Sequence, residues 1–172
     1  MTPAPQSPGD QAEAFAAQIL TLRGYGVQNL NETRRNHPFV DLRCLGAGGS
    51  FDVSVKSAWS ANREVRLGAP HILRQVSDTV FLMILMSAHK GQPMTLTPGG
   101  YALWIVLARV AKDEALAAHN HYAAHHPGST GHSVMIKDKL DSNPTTRSGA
   151  VFQSWQQRFL DAWHLLPKAP TP

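Results

Sequence analysis

Cysteine is almost missing from this chain: Cys44 is the single one in 172 residues. That excludes an internal disulfide and agrees with a reducing cytosol. Set inside an apolar strand, Cys44 reads as a small buried hydrophobe. Long apolar runs are missing too. The longest, Val80 to Met86, is far too short to cross a bilayer. Met1 to Pro8 is proline-rich and lacks the basic start and apolar core of a signal peptide. The expectation is therefore a soluble cytoplasmic protein with no membrane partner.

Other absences exclude whole chemistries. No Ser-His-Asp order with a nucleophile elbow is present. The glycine run Gly46-Ala47-Gly48-Gly49 sits in a hairpin rather than between a strand and a helix, so a turn explains it better than a phosphate-binding loop. His121 and His125 have the i, i+4 spacing of two zinc ligands, with His119 and His126 alongside. No cysteine or nearby acid completes a set, and histidines at a helix C-terminus also suit the dipole there. No repeat and no internal linker interrupts the chain, whose length suits one domain.

Acidic residues are the minority: 12 against 16 Lys and Arg, a net charge of +4 with nine neutral histidines and a pI near 9.5. Such an excess favours a polyanionic partner without specifying the fold. Apolar residues at 42% and charged residues at 16% are ordinary for a globular domain. Residues 1–8 and 167–172, rich in proline and small residues, read as disordered tails around a single domain at 9–166.

Asp10 can cap a helix running to about Arg23, with Ala14, Phe15, Ile19 and Leu22 as its buried face. Gly24 ends it, and a strand follows around Val27 to Glu32. Pro38 to Ser57 reads as a β-hairpin turning at Gly46 to Gly49. A polar, basic stretch from Ser60 to Leu67 leads to a short helix near Ala69 to Val76. Thr79 to Met86 reads as a buried strand and Tyr101 to Leu107 as another central one. Val110 to His125 reads as a helix stopped by Pro127-Gly128, and His132 to Ile136 as a short edge strand. Ser148 to Trp163 closes the chain as an amphipathic helix, packing through Val151, Phe152, Trp155, Phe159 and Trp163. This order predicts an α/β fold with a mixed central sheet flanked by helices on both faces.

The hairpin carries the chemistry. Asp52, Ser54 and Lys56 share one face of a strand, Val53 and Val55 the other. Asp41 leads the partner strand, within reach of the Lys56 ammonium across the ladder. Spacing alone fits a plain cross-strand ion pair equally well. Arg34, Arg35 and His37 precede this hairpin, and Arg63, Arg66, His71 and Arg74 follow it, a bracketing that suggests a basic rim for phosphates. Trp59 offers a ring for stacking on an unpaired base, or for packing.

In order and spacing, Glu13-Ala14-Phe15-Ala16-Ala17, the Gly24-Tyr25-Gly26-Val27 turn, Asp41 and Phe51 to Lys56 resemble the core of the PD-(D/E)xK nuclease superfamily, the restriction-endonuclease-like fold. The resemblance covers roughly the first half of the chain. It implies a glutamate on the first helix (Glu13), an aspartate at the second strand (Asp41) and an acid-x-Lys triplet on the third, here Ser54-Val55-Lys56. It further implies a metal-dependent nuclease acting on nucleic acid, DNA foremost, with Mg2+ or Mn2+ as cofactor. Asp41 and the Val55 carbonyl would be ligands, Glu13 would bind directly or through water, and Lys56 would orient the nucleophile. Ser54 departs from the pattern, where Asp or Glu is usual, and removes one hard oxygen ligand. Asp52, one pleat away, is the expected substitute. A homodimer or a protein partner is compatible with the sequence. The alternative is a degenerate, non-catalytic relative that binds nucleic acid or protein in a defence or toxin-neutralising role.

Overall fold

The computed structural model describes residues 7–33, 39–58, 64–89, 92–127, 133–137 and 147–170. The cap of helix α1 (Pro8–Leu22) lies three residues before the expected Asp10. Ser7 is its N-cap, and Ser7 and Asp10 close a reciprocal capping box at 3.0 and 3.2 Å, satisfying two otherwise orphaned backbone donors. At its other end Gly24 takes φ 87°, the Gly24 amide donates to the Thr21 carbonyl and the Tyr25 amide to that of Leu20. That pairing is a Schellman stop. The face that α1 buries is Ala12, Ala16, Ile19 and Leu20; Ala14 and Leu22 are exposed. The expected face is thus rotated: small alanines carry little hydrophobic weight in a sequence, yet they let a helix approach a sheet closely.

Five strands form the main sheet in the spatial order β1 (Gly26–Asn29), β2 (Leu42–Gly46), β3 (Gly49–Ala58), β5 (Phe81–Ser87) and β6 (Tyr101–Leu107). The first three are an antiparallel meander, β3 and β5 run parallel, and β6 returns antiparallel. The strand expected over Val27 to Glu32 ends at Asn29, and Leu30–Thr33 turns into a one-turn helix, α2. The expected mixed sheet is present. Alternation along β6 puts helices on both of its faces: Tyr101 meets Phe15 of α1 edge-on at 5.3 Å, while Trp104, on the opposite face, packs on Phe152 of α6 (Arg147–Arg158) at 5.4 Å.

Strand β5 is buried at every position, as its unbroken apolar run predicts. Strand β6, expected to be central, lies at the end of the sheet. It reads as central because its outer edge is covered. The Ile105 amide donates to the Phe159 carbonyl at 3.1 Å and the Asp161 amide to that of Leu103 at 2.8 Å, so the chain leaving α6 occupies an edge that would otherwise invite another strand.

The polar stretch after β3 contains a strand, β4 (Glu64–Gly68). It pairs with β7 (Val134–Lys137) in a separate two-stranded sheet rather than extending the main one. Helix α3 (Pro70–Gln75) follows β4. The expected helix from Val110 to His125 spans α4 (Ala108–Ala111), a π-helical turn (Lys112–Leu116) and α5 (Ala117–His125). From the π turn, Lys112 reaches Asp78 at 2.7 Å and the Val76 carbonyl. Glu114 accepts from the buried Trp155 indole at 2.8 Å and from Arg158 at 2.8 Å. Helix α6 stops at Arg158, so Trp163 lies beyond it in a 3-10 turn, under the Arg23 guanidinium at 4.1 Å.

Of the tail expected to be disordered, residues 167–170 are described and make contacts with the body of the fold, while 171–172 lie outside the described residues. The Ala47 amide donates to the Lys168 carbonyl at 2.7 Å, and the Tyr25 hydroxyl to that of Pro167 at 2.7 Å. A Cβ on Gly46 would lie 3.0 Å from the Lys168 carbonyl oxygen, so glycine at the hairpin lets the segment pack there. The N-terminal tail, Met1 to Gln6, lies outside the described residues.

Replacing Glu114 with alanine orphans the indole N–H of the fully buried Trp155. The expected loss of stability is about 1–3 kcal/mol, read as a lower urea midpoint at unchanged slope. An unchanged midpoint would show that this carboxylate does not secure α6.

Candidate active site

Asp41 is where three segments meet. Two residues before it is Phe39, which takes φ 72°, a left-handed conformation unusual for a bulky residue and a form of strain that clusters at functional sites. The Asp41 amide donates to the Val53 carbonyl at 2.9 Å, and its own carbonyl accepts from Leu30 at 2.9 Å. Backbone bonds therefore hold it between the entry to α2 and the middle of β3.

Its carboxylate collects donors from the same two segments. Oδ2 accepts from the Val55 amide at 2.6 Å and from the Ser54 hydroxyl at 3.2 Å. Oδ1 accepts from Asn31 Nδ2 at 3.3 Å, and that same nitrogen donates to Glu13 Oε2 at 3.0 Å. Lys56 Nζ donates to Ser54 Oγ at 2.9 Å. The result is a chain of contacts from Glu13 through Asn31, Asp41 and Ser54 to Lys56.

The structure thus brings together Glu13, Asp41, Ser54 and Lys56, as the sequence suggests, with two differences. The Lys56 ammonium reaches the Asp41 carboxylate through the Ser54 hydroxyl instead of across the ladder. Ser54, only 2% exposed, is the polar bridge between them, and a buried hydroxyl needs such partners. Val55, expected to act through its carbonyl, contacts Asp41 through its N–H. The sequence reading missed Asn31, whose signal was its place in a short polar turn just after β1.

Asp52 shares the strand face of Ser54 and Lys56 but is committed elsewhere. Arg43, its direct neighbour on β2, donates from Nε to Oδ1 at 2.9 Å and from Nη2 to Oδ2 at 3.2 Å. The expected substitution of Asp52 for the acid lacking at position 54 is opposed by this two-pronged pair, which engages both carboxylate oxygens. Of the basic rim, Arg66 on β4 and Arg74 on α3 are exposed. Arg34, Arg35, Arg63 and Trp59, with His37, lie outside the described residues.

Burial raises the pKa of Glu13 above its ordinary value. The hydrogen bond from Asn31 opposes the rise, the charges of Asp41 and Asp10 add to it, and Lys56 counters it. Cys44, buried on β2, has its thiol pushed up to about 12, first by burial and then by the Asp52 charge.

Among the described residues no group of three or more His, Cys, Asp or Glu side chains is placed to hold a metal ion. The two carboxylates joined through Asn31 are compatible with magnesium, which binds through one or two carboxylates and keeps several waters. Comparison with protein-family models, with curated proteins and with solved structures finds no match to this chain. The site therefore has to be read from its own geometry.

Because the fold raises the Glu13 pKa, its contribution to stability is present in acid and is lost as pH rises through that raised value. Glu13→Gln, a neutral mimic that can still accept from Asn31, should melt above the wild type at neutral pH. The gap should narrow as pH falls. Thermal denaturation across that range checks this, and a wild type more stable at neutral pH would reverse the assignment. Cys44 should react with a thiol reagent only after denaturation, since so high a pKa leaves almost no thiolate; fast labelling of native protein would contradict its burial.

Proposed function

We propose that this protein is a metal-dependent nuclease of the PD-(D/E)xK type that hydrolyses phosphodiester bonds in DNA. The observation that carries the reading is the convergence of Glu13 from α1, Asp41 from the head of β2 and Lys56 from β3 on one hydrogen-bonded chain. Groups far apart in sequence need not meet, and a simple cross-strand ion pair would not require Glu13 at all.

In this reading Glu13 and Asp41 hold a magnesium or manganese ion, which supplies Lewis-acid polarisation of the phosphate and an acidified water. The chain's own residues do the rest. Asp41 is held in place by the Val55 amide and Ser54, so its orientation costs little reorganisation on binding. Lys56, steadied by Ser54, would supply a cation to the developing charge. Arg66 and Arg74, both exposed, add positive charge for the nucleic-acid backbone, which makes binding fall steeply with salt.

A second reading rests on Ser54. Without an acid at that position, and with Asp52 engaged by Arg43, the site has two carboxylates where the family pattern offers three. A nuclease-like protein that binds nucleic acid or a protein partner without cleaving it accounts for that loss. Its DNA affinity would be indifferent to chelator.

Incubation of plasmid and linear DNA with magnesium or manganese separates the two. Cleavage is expected, and Asp41→Ala or Lys56→Ala should reduce it by about 100-fold or more. Intact DNA under all conditions, with chelator-insensitive binding, would favour the second reading. Cleavage undiminished in Asp41→Ala would remove this site from the chemistry.

A further inference from the structure

The Asn31 amide stands where two carboxylates would otherwise repel each other. Nδ2 donates at 3.0 Å to Glu13 Oε2 and at 3.3 Å to Asp41 Oδ1, the position between two acids that a cation would also take. The backbone leading into it is held by two hydrogen bonds. The Asn31 amide N–H donates to Asn29 Oδ1 at 3.0 Å, and the neighbouring Leu30 N–H donates to the Asp41 carbonyl at 2.9 Å. The side chain is therefore delivered to this spot by a fixed turn.

An asparagine amide is nearly symmetric in shape and opposite in polarity at its two ends. With no ion between the carboxylates, only the NH2 end can face them. With a cation there, the NH2 end is repelled and the carbonyl oxygen is attracted, as hard divalent ions take amide oxygens readily. A half-turn about the last side-chain bond exchanges the two. The chain has need of such an oxygen: the acid usual at position 54 is a serine that accepts from Lys56 and donates to Asp41, and Asp52 is held by Arg43.

Resting on the metal-dependent reading above, we propose that Asn31 is the third oxygen ligand of the site. Its amide bridges Glu13 and Asp41 in the metal-free protein and turns over to present Oδ1 when the ion binds. The oxygen missing from β3 is thereby supplied by the turn after β1.

The test is manganese binding to the full chain, followed by the spectroscopic signal of free Mn2+, together with thermal melts in chelator and in manganese. The wild type should bind, and Asn31→Ala should bind about 10-fold more weakly or worse. Asn31→Asp separates a ligand from a mere hydrogen-bond donor. It cannot donate to the two acids, so in chelator it should melt below the wild type. It adds an oxygen, so in manganese it should recover and bind at least as tightly as the wild type. Wild-type binding with Asn31→Ala unaffected, or Asn31→Asp losing affinity along with it, would overturn the ligand role and leave the nuclease reading standing. A wild type that binds no manganese at millimolar concentration would sink both. Should Asn31→Ala fail to fold, the manganese dependence of the Asn31→Asp melt decides by itself.

Discussion

The Asp41 carboxylate has to be satisfied where it sits, and much of the site's geometry follows from that need. A partly buried carboxylate without donors is costly. This one draws a backbone N–H from Val55, a hydroxyl from Ser54 and an amide from Asn31. Those donors come from β3 and from the turn after β1, so satisfying one acid ties two segments around the head of β2. The main-chain bonds of Asp41 to Val53 and Leu30 reinforce the same junction. Glu13 then reaches in from α1, at the boundary of that helix's buried face, and shares the Asn31 amide.

Ser54 has a clear physical role beside this acid. A carboxylate at that position would stand against Asp41 and would need a cation or a proton to be tolerated. A hydroxyl donates to Asp41 and accepts from Lys56 at once. The arrangement therefore satisfies both groups without an ion. The Arg43–Asp52 pair bears on the same site, since it engages an acid that a reading of strand alternation would assign there.

Elsewhere the end of the chain is tied back onto the sheet. The segment beyond α6 closes the β6 edge, and the last described residues pack against the β2–β3 turn. Glu114, on the π-helical turn, joins Trp155 and Arg158 of α6 to the helix that follows β6. These contacts link the end of the chain to its beginning, as Tyr25 with Pro167 and Arg23 with Trp163 do.

Periodicity and stop signals made the local elements legible: α1 with its glycine stop, the Gly46–Gly49 hairpin, the buried run of β5 and the apolar β6. Side-chain alternation grouped Ser54 with Lys56 and set Asp41 on the partner strand, while Glu13 was named only through the resemblance to the nuclease pattern. Pairing choices over long separations were beyond such rules. They include β4 with β7, the covering of β6 by Phe159 to Asp161, and the meeting of Asn31 with Glu13. Each of these depends on which partner is nearest once the chain is compact, and a hydrogen bond or ion pair has no signature along the chain until its two ends are brought within about 3 Å.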